Sequence, residues 1–182
     1  MKKYKVLFFG GGKMGELVLS VLKELNNVEL GLGHAGMELA VVARYDLIFS
    51  ASYPSRISQD MVKSTALGAV NLHTGLLPEG RGSHPLNWAL IWGKEQTGIT
   101  IHKIVDTYDA GDICVQNKVW INSKENIISL RAKVEEEVPL IIEEFFDNVE
   151  GLLDNAEKQN QALMSYAQKR RPEDCELNLN AP

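Results

Sequence analysis

The sequence predicts an α/β fold of the Rossmann-like kind, a mostly parallel sheet with helices between its strands. Three observations predict it. Short apolar runs alternate along the chain with stretches whose apolar residues recur at helical spacing, which is the pattern of strand and crossover helix. The first run, Lys5 to Phe9, ends in a glycine cluster that feeds directly into a helical stripe. A chain of 182 residues with 45% hydrophobic and 24% charged residues is long enough for one well-packed domain and too short for two large ones.

Taken in order, Lys5 to Phe9 reads as a buried strand and Lys13 to Leu25 as a helix whose inner stripe is Leu17, Val18, Val21, Leu22 and Leu25. Val28 to Leu32 is a second strand, Met37 to Arg44 a helical connection, and Asp46 to Ala51 a third strand bounded by Ser52 and Pro54. Gln59 to Ala66 fits a short helix ahead of a strand from Gly68 to Leu72. His84 to Trp92 reads as a helix, followed by strands at Ile99 to Val105 and Ile113 to Ile121. A long helix starts near Lys124. Asn122 or Ser123 can cap it, with Asn122 and Glu125 in a capping-box relation. Its inner face is Ile127, Leu130, Val134, Val138, Ile141, Phe145 and Val149, and Pro139 within that pattern is expected to kink or break it. After Gly151 the composition turns polar. Residues 1–153 are therefore expected as the folded domain and 154–182 as a polar linker and tail.

A net charge of −5 and a pI near 5.4 argue against broad, sequence-independent attachment to nucleic acid, which is gripped by excess Lys and Arg. Cys114 and Cys175 show no metal-type spacing and are expected as reduced thiols. The apolar run after Met1 is too short for a signal peptide, and no run approaches the roughly 20 residues of a membrane span. A cytoplasmic protein is expected, with no membrane partner and no metal. Its oligomeric state is open, with a homodimer among the options.

The chemistry concentrates in Asn71-Leu72-His73, the loop Leu76-Leu77-Pro78 with Arg81-Gly82, and Asp109-Ala110-Gly111-Asp112. Residues two apart on a strand project to one face, so Asn71 and His73 should emerge together at the strand's carboxyl end. An amine attacking a formyl carbonyl builds negative charge on oxygen and positive charge on nitrogen, so a site for it needs a donor and a proton acceptor. An amide and an imidazole supply both. A later carboxylate, Asp109, can orient the imidazole or hold the water that relays its proton, as the third member of a triad does.

These motifs, with Thr97-Gly98-Ile99-Thr100-Ile101-His102, resemble those of the folate-dependent formyltransferases, which include methionyl-tRNA, glycinamide ribonucleotide and nucleotide amino-sugar formyltransferases. The resemblance is strongest from Asp46 to Asn148. It implies the formyltransferase fold and transfer of a formyl group from N10-formyltetrahydrofolate to a primary amine. Asn71, His73 and Asp109 fall on the family's catalytic positions, and His102 falls near them, its inward-facing place on a strand suiting either a supporting hydrogen-bonding role or a simple buried histidine. Two departures stand out. Gly75 replaces the serine usual before Leu-Leu-Pro, and the N-terminal half is shortened around Gly31 to Tyr45, which implies one reduced or missing βα unit.

For the folate, the resemblance implies Leu76, Leu77 and Pro78 beside the pterin, backbone groups of the Val105, Asp106 and Asp112 loop along its edge, and Tyr53 and Ile57 nearby. For the acceptor, the turn from Gly10 to Gly12 can face a phosphate, the Arg81 guanidinium suits phosphate oxygens, and His84 and Trp88 stand where an acceptor can approach. Trp88 and Trp92 can alternatively pack their helix on the core, and Arg81 can be a surface arginine. A nucleotide-linked amino sugar is the favoured acceptor, because Pro85-Leu86-Asn87-Trp88 and the tail Lys169-Arg170-Arg171-Pro172-Glu173-Asp174 look like the sugar members. Methionyl-tRNA and glycinamide ribonucleotide are the alternatives within the family. A folate-binding protein without turnover is an alternative outside it. Gly10-Gly11-Gly12-Lys13-Met14-Gly15 also satisfies G-x-G-x-x-G. No acidic residue clearly closes the following strand for a ribose hydroxyl, so a tight structural turn is favoured over NAD binding.

Overall fold

A computed structural model of the chain describes residues 2–171 together with Asp174. Ten elements position the site. They are β1 (Tyr4–Gly10), α1 (Gly12–Glu24), β2 (Val28–Leu32), α2 (Leu39–Val42), β3 (Leu47–Ala51), α3 (Gln59–Ser64), β4 (Ala69–His73), α4 (Pro85–Ile91), β5 (Gln96–Lys103) and β6 (Ile113–Trp120). Helices α5 (Ile127–Asp147) and α6 (Val149–Asp154) close the domain.

The strands form one six-stranded sheet in the order β2-β1-β3-β4-β5-β6. β1 to β4 run parallel and β5 and β6 are antiparallel additions, so the mostly parallel α/β expectation holds. The connection between β2 and β3 holds only the single-turn α2, which is the reduced unit expected around Gly31 to Tyr45.

Both sheet faces are buried, and alternate residues of each strand divide between them. Val6, Phe8, Leu47, Phe49, Val70 and Leu72 pack with Val18 and Leu22 of α1 and with Leu130, Val134, Val138, Ile141, Ile142 and Phe145 of α5. Leu7, Phe9, Ile48 and Ala69 pack on the other face with Val42 of α2 and with Ile57. Ala69, Asn71 and His73 share that second face. Beyond α3 it is open, and the opening becomes the site.

The expected cap of the long helix is corrected. Asn126, not Asn122 or Ser123, caps α5. Its side chain accepts from the Ile128 and Ser129 amides while Ser129 Oγ accepts from the Asn126 amide. Asn122 instead closes the preceding turn, accepting from the Lys124 amide and donating to Glu125. Pro139 does not break α5, which runs through it. The fully buried neighbours Val138, Ile141 and Ile142 offset the one backbone hydrogen bond that proline removes. Among the described residues no helix is long and apolar enough to cross a membrane. Cys114 is a free, buried thiol whose pKa burial pushes up to about 11. Cys175, Pro172 and Glu173 lie outside the described residues.

Candidate active site

β4 delivers two polar side chains to one opening because its pleat sends residues 71 and 73 the same way. They line a cavity of about 720 Å³ at the carboxyl ends of β3 and β4, together with His102, Asp109, Ser50, Ser52 and Tyr53. His102 enters from β5, where it is the register partner of Asn71. Among the described residues, the two non-glycine positions with positive φ are Ser52 (50°) and Asp109 (54°), and both line this cavity. Left-handed backbone at non-glycine residues concentrates at functional sites, so the strain marks the same place as the chemistry.

Hydrogen-bond partners fix the ring protons. A carbonyl oxygen only accepts, so His73 Nε2 carries the hydrogen it donates to the Gly80 carbonyl at 2.9 Å. In the neutral ring, Nδ1 is then a bare lone pair. It faces Asp109 Oδ2 at 3.7 Å. His102 is set the opposite way, with Nδ1 donating to the Lys103 carbonyl at 2.9 Å and Nε2 accepting from Asn71 Nδ2 at 3.2 Å. That Nε2 lies 3.5 Å from Asp109 Oδ1. Burial lowers the pKa of His73, outweighing the Asp109 carboxylate that acts to raise it, so the ring is neutral at pH 7. Burial alone would raise Asp109, but the positive charge that His73 and His102 can carry, together with the Gly82 amide, holds its carboxyl below the usual carboxylate range. The site therefore holds an ionised acid beside a neutral base.

Asp109 is positioned from outside its own loop. The Gly82 amide donates to Oδ2 at 2.8 Å. Gln159, past α6, donates through Nε2 to the carbonyls of Asp109 (2.8 Å) and Gly111 (2.7 Å). Gly111 sits so close to β5 that a Cβ there would lie 1.9 Å from the Lys103 carbonyl oxygen, so only glycine fits.

Gly75 has an equally direct cause. A Cβ at this position would stand 2.8 Å from His73 Nε2 and 3.0 Å from Pro85 Cβ, so glycine leaves room for the ring to reach the Gly80 carbonyl. The strap after it is tied down by β5 and β6. Thr100 Oγ1 donates to the Gly75 carbonyl and accepts from the Leu77 amide, while Gln116 donates to the Leu77 carbonyl.

A family model described as formyl transferase matches residues 22–146, more than half of the chain. The chain belongs to the formyl transferase family. Its fold is shared with solved structures of low sequence identity. One is the formyltransferase PseJ from Anoxybacillus kamchatkensis, in complex with UDP-4,6-dideoxy-4-formamido-L-AltNAc and tetrahydrofolate (22% identity, TM-score 0.75, 90% of this chain and 85% of that one). A second is a 4-N formyltransferase from Francisella tularensis (21%, TM-score 0.74, 98% and 82%). A third is a methionyl-tRNA formyltransferase from Clostridium thermocellum (18%, TM-score 0.73, 98% and 78%).

In this formyl transferase the expected site residues divide sharply. Asn71, His73, Asp109 and His102 converge, and Tyr53, Ile57, Val105 and Asp106 line the same cavity. Phe9 holds the Tyr53 ring edge-on at 5.1 Å, and Arg56 pairs with Asp106 at the rim. Leu76, Leu77 and Pro78 do not line it. The Thr100 and Gln116 ties turn them toward a separate groove of about 570 Å³ with Trp92 and Trp120. Asp112 is also absent from the cavity, and its carbonyl instead accepts from the Lys103 amide.

Of the residues expected at an acceptor, Gly12 and His84 line a second pocket of about 480 Å³, with Gly11, Lys13, Asn87 and Arg131. It lies where α1 leaves β1 beside β3, the switch point at which open α/β sheets bind ligands. Ser52, Pro54, Thr74, Ser83 and Pro85 line both this pocket and the main cavity. Gly10 does not line it. Arg81 lines neither cavity: it is 2% exposed, and its Nε and Nη2 both donate to Gln159 Oε1. Trp88 packs against Trp92 and donates Nε1 to the Gln168 carbonyl, away from both pockets. Gln159 is the residue that sequence reasoning misses. It lies in a polar stretch without periodicity, and only the glycines flanking Arg81 hint at a closely packed loop.

Proposed function

We propose that the chain transfers a formyl group from N10-formyltetrahydrofolate to the primary amine of a nucleotide-linked amino sugar. One observation carries the reading. The bare Nδ1 of a neutral, buried His73 faces an ionised Asp109 in the cavity that also holds the Asn71 amide. A lone pair opposite a carboxylate is unfavourable at rest. It becomes an ion pair once Nδ1 has taken the proton that the attacking amine loses. His73 is thus the proton acceptor and Asp109 the group that holds the resulting imidazolium. Asn71 Nδ2 is the donor for charge that builds on the formyl oxygen, and His102, by accepting from that same amide group, fixes which end of Asn71 is the donor.

The cavity fits a reduced pterin. Its volume lies in the roughly 300–1,000 Å³ range of small-molecule sites, and it is lined by Tyr53, Ile57, Ile104 and Val105 as apolar walls with the backbone of 105–109 as polar edge. Bound there, the folate would supply an activated formyl carbon. The second pocket suits the acceptor's phosphates, with Lys13 and Arg131 as cations and the first turn of α1 as a source of free amides. Support for a sugar comes from the PseJ complex with a UDP-linked formamido sugar and from the net charge of −5, which disfavours tRNA.

The test is a panel of acceptors: UDP- and dTDP-linked amino sugars, glycinamide ribonucleotide and charged initiator tRNA, each with N10-formyltetrahydrofolate. Turnover with a nucleotide sugar is expected. Turnover with only one of the others would move the acceptor, and tight folate binding without any turnover would make the chain a folate-binding protein.

A further inference from the structure

Arg81 presents a contradiction in simple stability terms. It is a fully charged side chain, 2% exposed, whose guanidinium meets a neutral amide and the Met164 sulfur. Among the described residues no carboxylate lies within ion-pair distance of it. Burying a cation without an anion is costly, and well-packed apolar residues would commonly be more stable.

The partner explains what the arrangement does. Both Arg81 donors to Gln159 converge on one oxygen, at 3.0 and 2.7 Å, which leaves the amide's orientation no freedom. The Gln159 NH2 group must then point at the carbonyls of Asp109 and Gly111. The same segment returns to the loop on the other side of the site. Ser165 Oγ accepts from the Gly80 amide, the Ser165 carbonyl accepts from the Arg81 amide, and the Ala167 amide donates to the Arg81 carbonyl. Gly80 sets the His73 tautomer and Asp109 faces its bare nitrogen, so both partners of the ring are held by one stretch, 159–167.

We infer that Gln159 and Arg81 are positioning residues for formyl transfer, a buried clamp by which the segment after α6 holds the Asp109 loop against His73. The inference rests on the reading of Asp109 given above. Gln159 touches no reacting atom. It acts through the backbone of a residue held at positive φ, whose side chain is fixed separately by the Gly82 amide.

The experiment is a double-mutant cycle on kcat, using formyl transfer from N10-formyltetrahydrofolate to whichever acceptor of the panel the wild-type protein uses. Gln159→Glu keeps an oxygen for Arg81 and removes both donors to the loop. It should lower kcat by about tenfold or more with each KM changed less than about threefold, since misplacement of about 1 Å costs up to a hundredfold. On an Asp109→Asn background the same change should cost nothing further. Arg81→Met/Gln159→Met, which buries no unpaired charge, serves as the second variant and should repeat the pattern. Equal losses in both backgrounds, or no loss from either variant, would overturn the clamp. If Asp109→Asn alone kept wild-type turnover, or the wild-type protein were inert with every acceptor, the earlier reading would fail and the clamp with it.

Discussion

Asp109 Oδ2 faces His73 Nδ1 at 3.7 Å while the other nitrogen of that ring is committed to the Gly80 carbonyl. The pair cannot form a direct hydrogen bond in the neutral state, because both facing atoms are acceptors. It can when a proton arrives. On the proposed mechanism, the relationship is a resting state for proton uptake.

Removing the carboxylate charge should therefore slow turnover more than it harms binding. Asp109→Asn is expected to lower kcat by roughly 10²-fold or more, within the usual range for a general acid–base partner, with the KM for N10-formyltetrahydrofolate little changed. Steady-state kinetics check the split, and a rise in KM alone would move Asp109 from chemistry to binding.

The acid limb of kcat/KM follows from the lowered pKa of His73. Only the neutral ring can accept a proton, so activity should fall below an apparent pKa that lies under the ordinary imidazole value of about 6.5. A pH–rate profile with its acid limb above that value would contradict the assignment of His73 as the base.

Stability should respond to acid through the same two groups, and in the same direction. His73 has a lowered folded pKa, so the unfolded chain takes up its proton first and stability is lost as pH falls from about 6.5. Asp109 also has a lowered folded pKa, and its contribution, complete above about 3.9, is lost as pH falls further. Chemical denaturation of wild type and His73→Ala between pH 7 and 5 should show a shallower loss in the variant.

Gly75→Ser restores the hydroxyl common in the family but adds a Cβ at 2.8 Å from His73 Nε2. The ring must move off the Gly80 carbonyl, freeing its tautomer. Turnover is expected to fall by about tenfold or more, on the scale of catalytic-group misplacement. An unchanged kcat would show that the Gly80 contact is dispensable.

The Asn-x-His pair was legible because a strand's period of two is fixed by its pleat and needs no knowledge of neighbours. The Leu-Leu-Pro strap was legible as a loop but not in its direction. Which side faces the cavity is decided by Thr100 and Gln116 on strands far along the chain. Arg81 was visible as a phosphate-seeking residue and proved to be buried, since its partner Gln159 lies in a polar stretch that carries no pattern. The cap of α5 slipped by four residues for a local reason. Asn122 and Asn126 both have an acceptor side chain at the right distance from amides, and only the latter's amides begin the helix.

The most direct measurement is single-turnover formyl transfer by purified His73→Ala against wild type, with N10-formyltetrahydrofolate and the acceptor found in the panel, after circular dichroism has shown both folded. A fall of at least about 10²-fold is predicted, the lower end of the contribution of a positioned general base. Wild-type turnover in the variant would contradict the assignment of Asn71, His73 and Asp109 as the catalytic group.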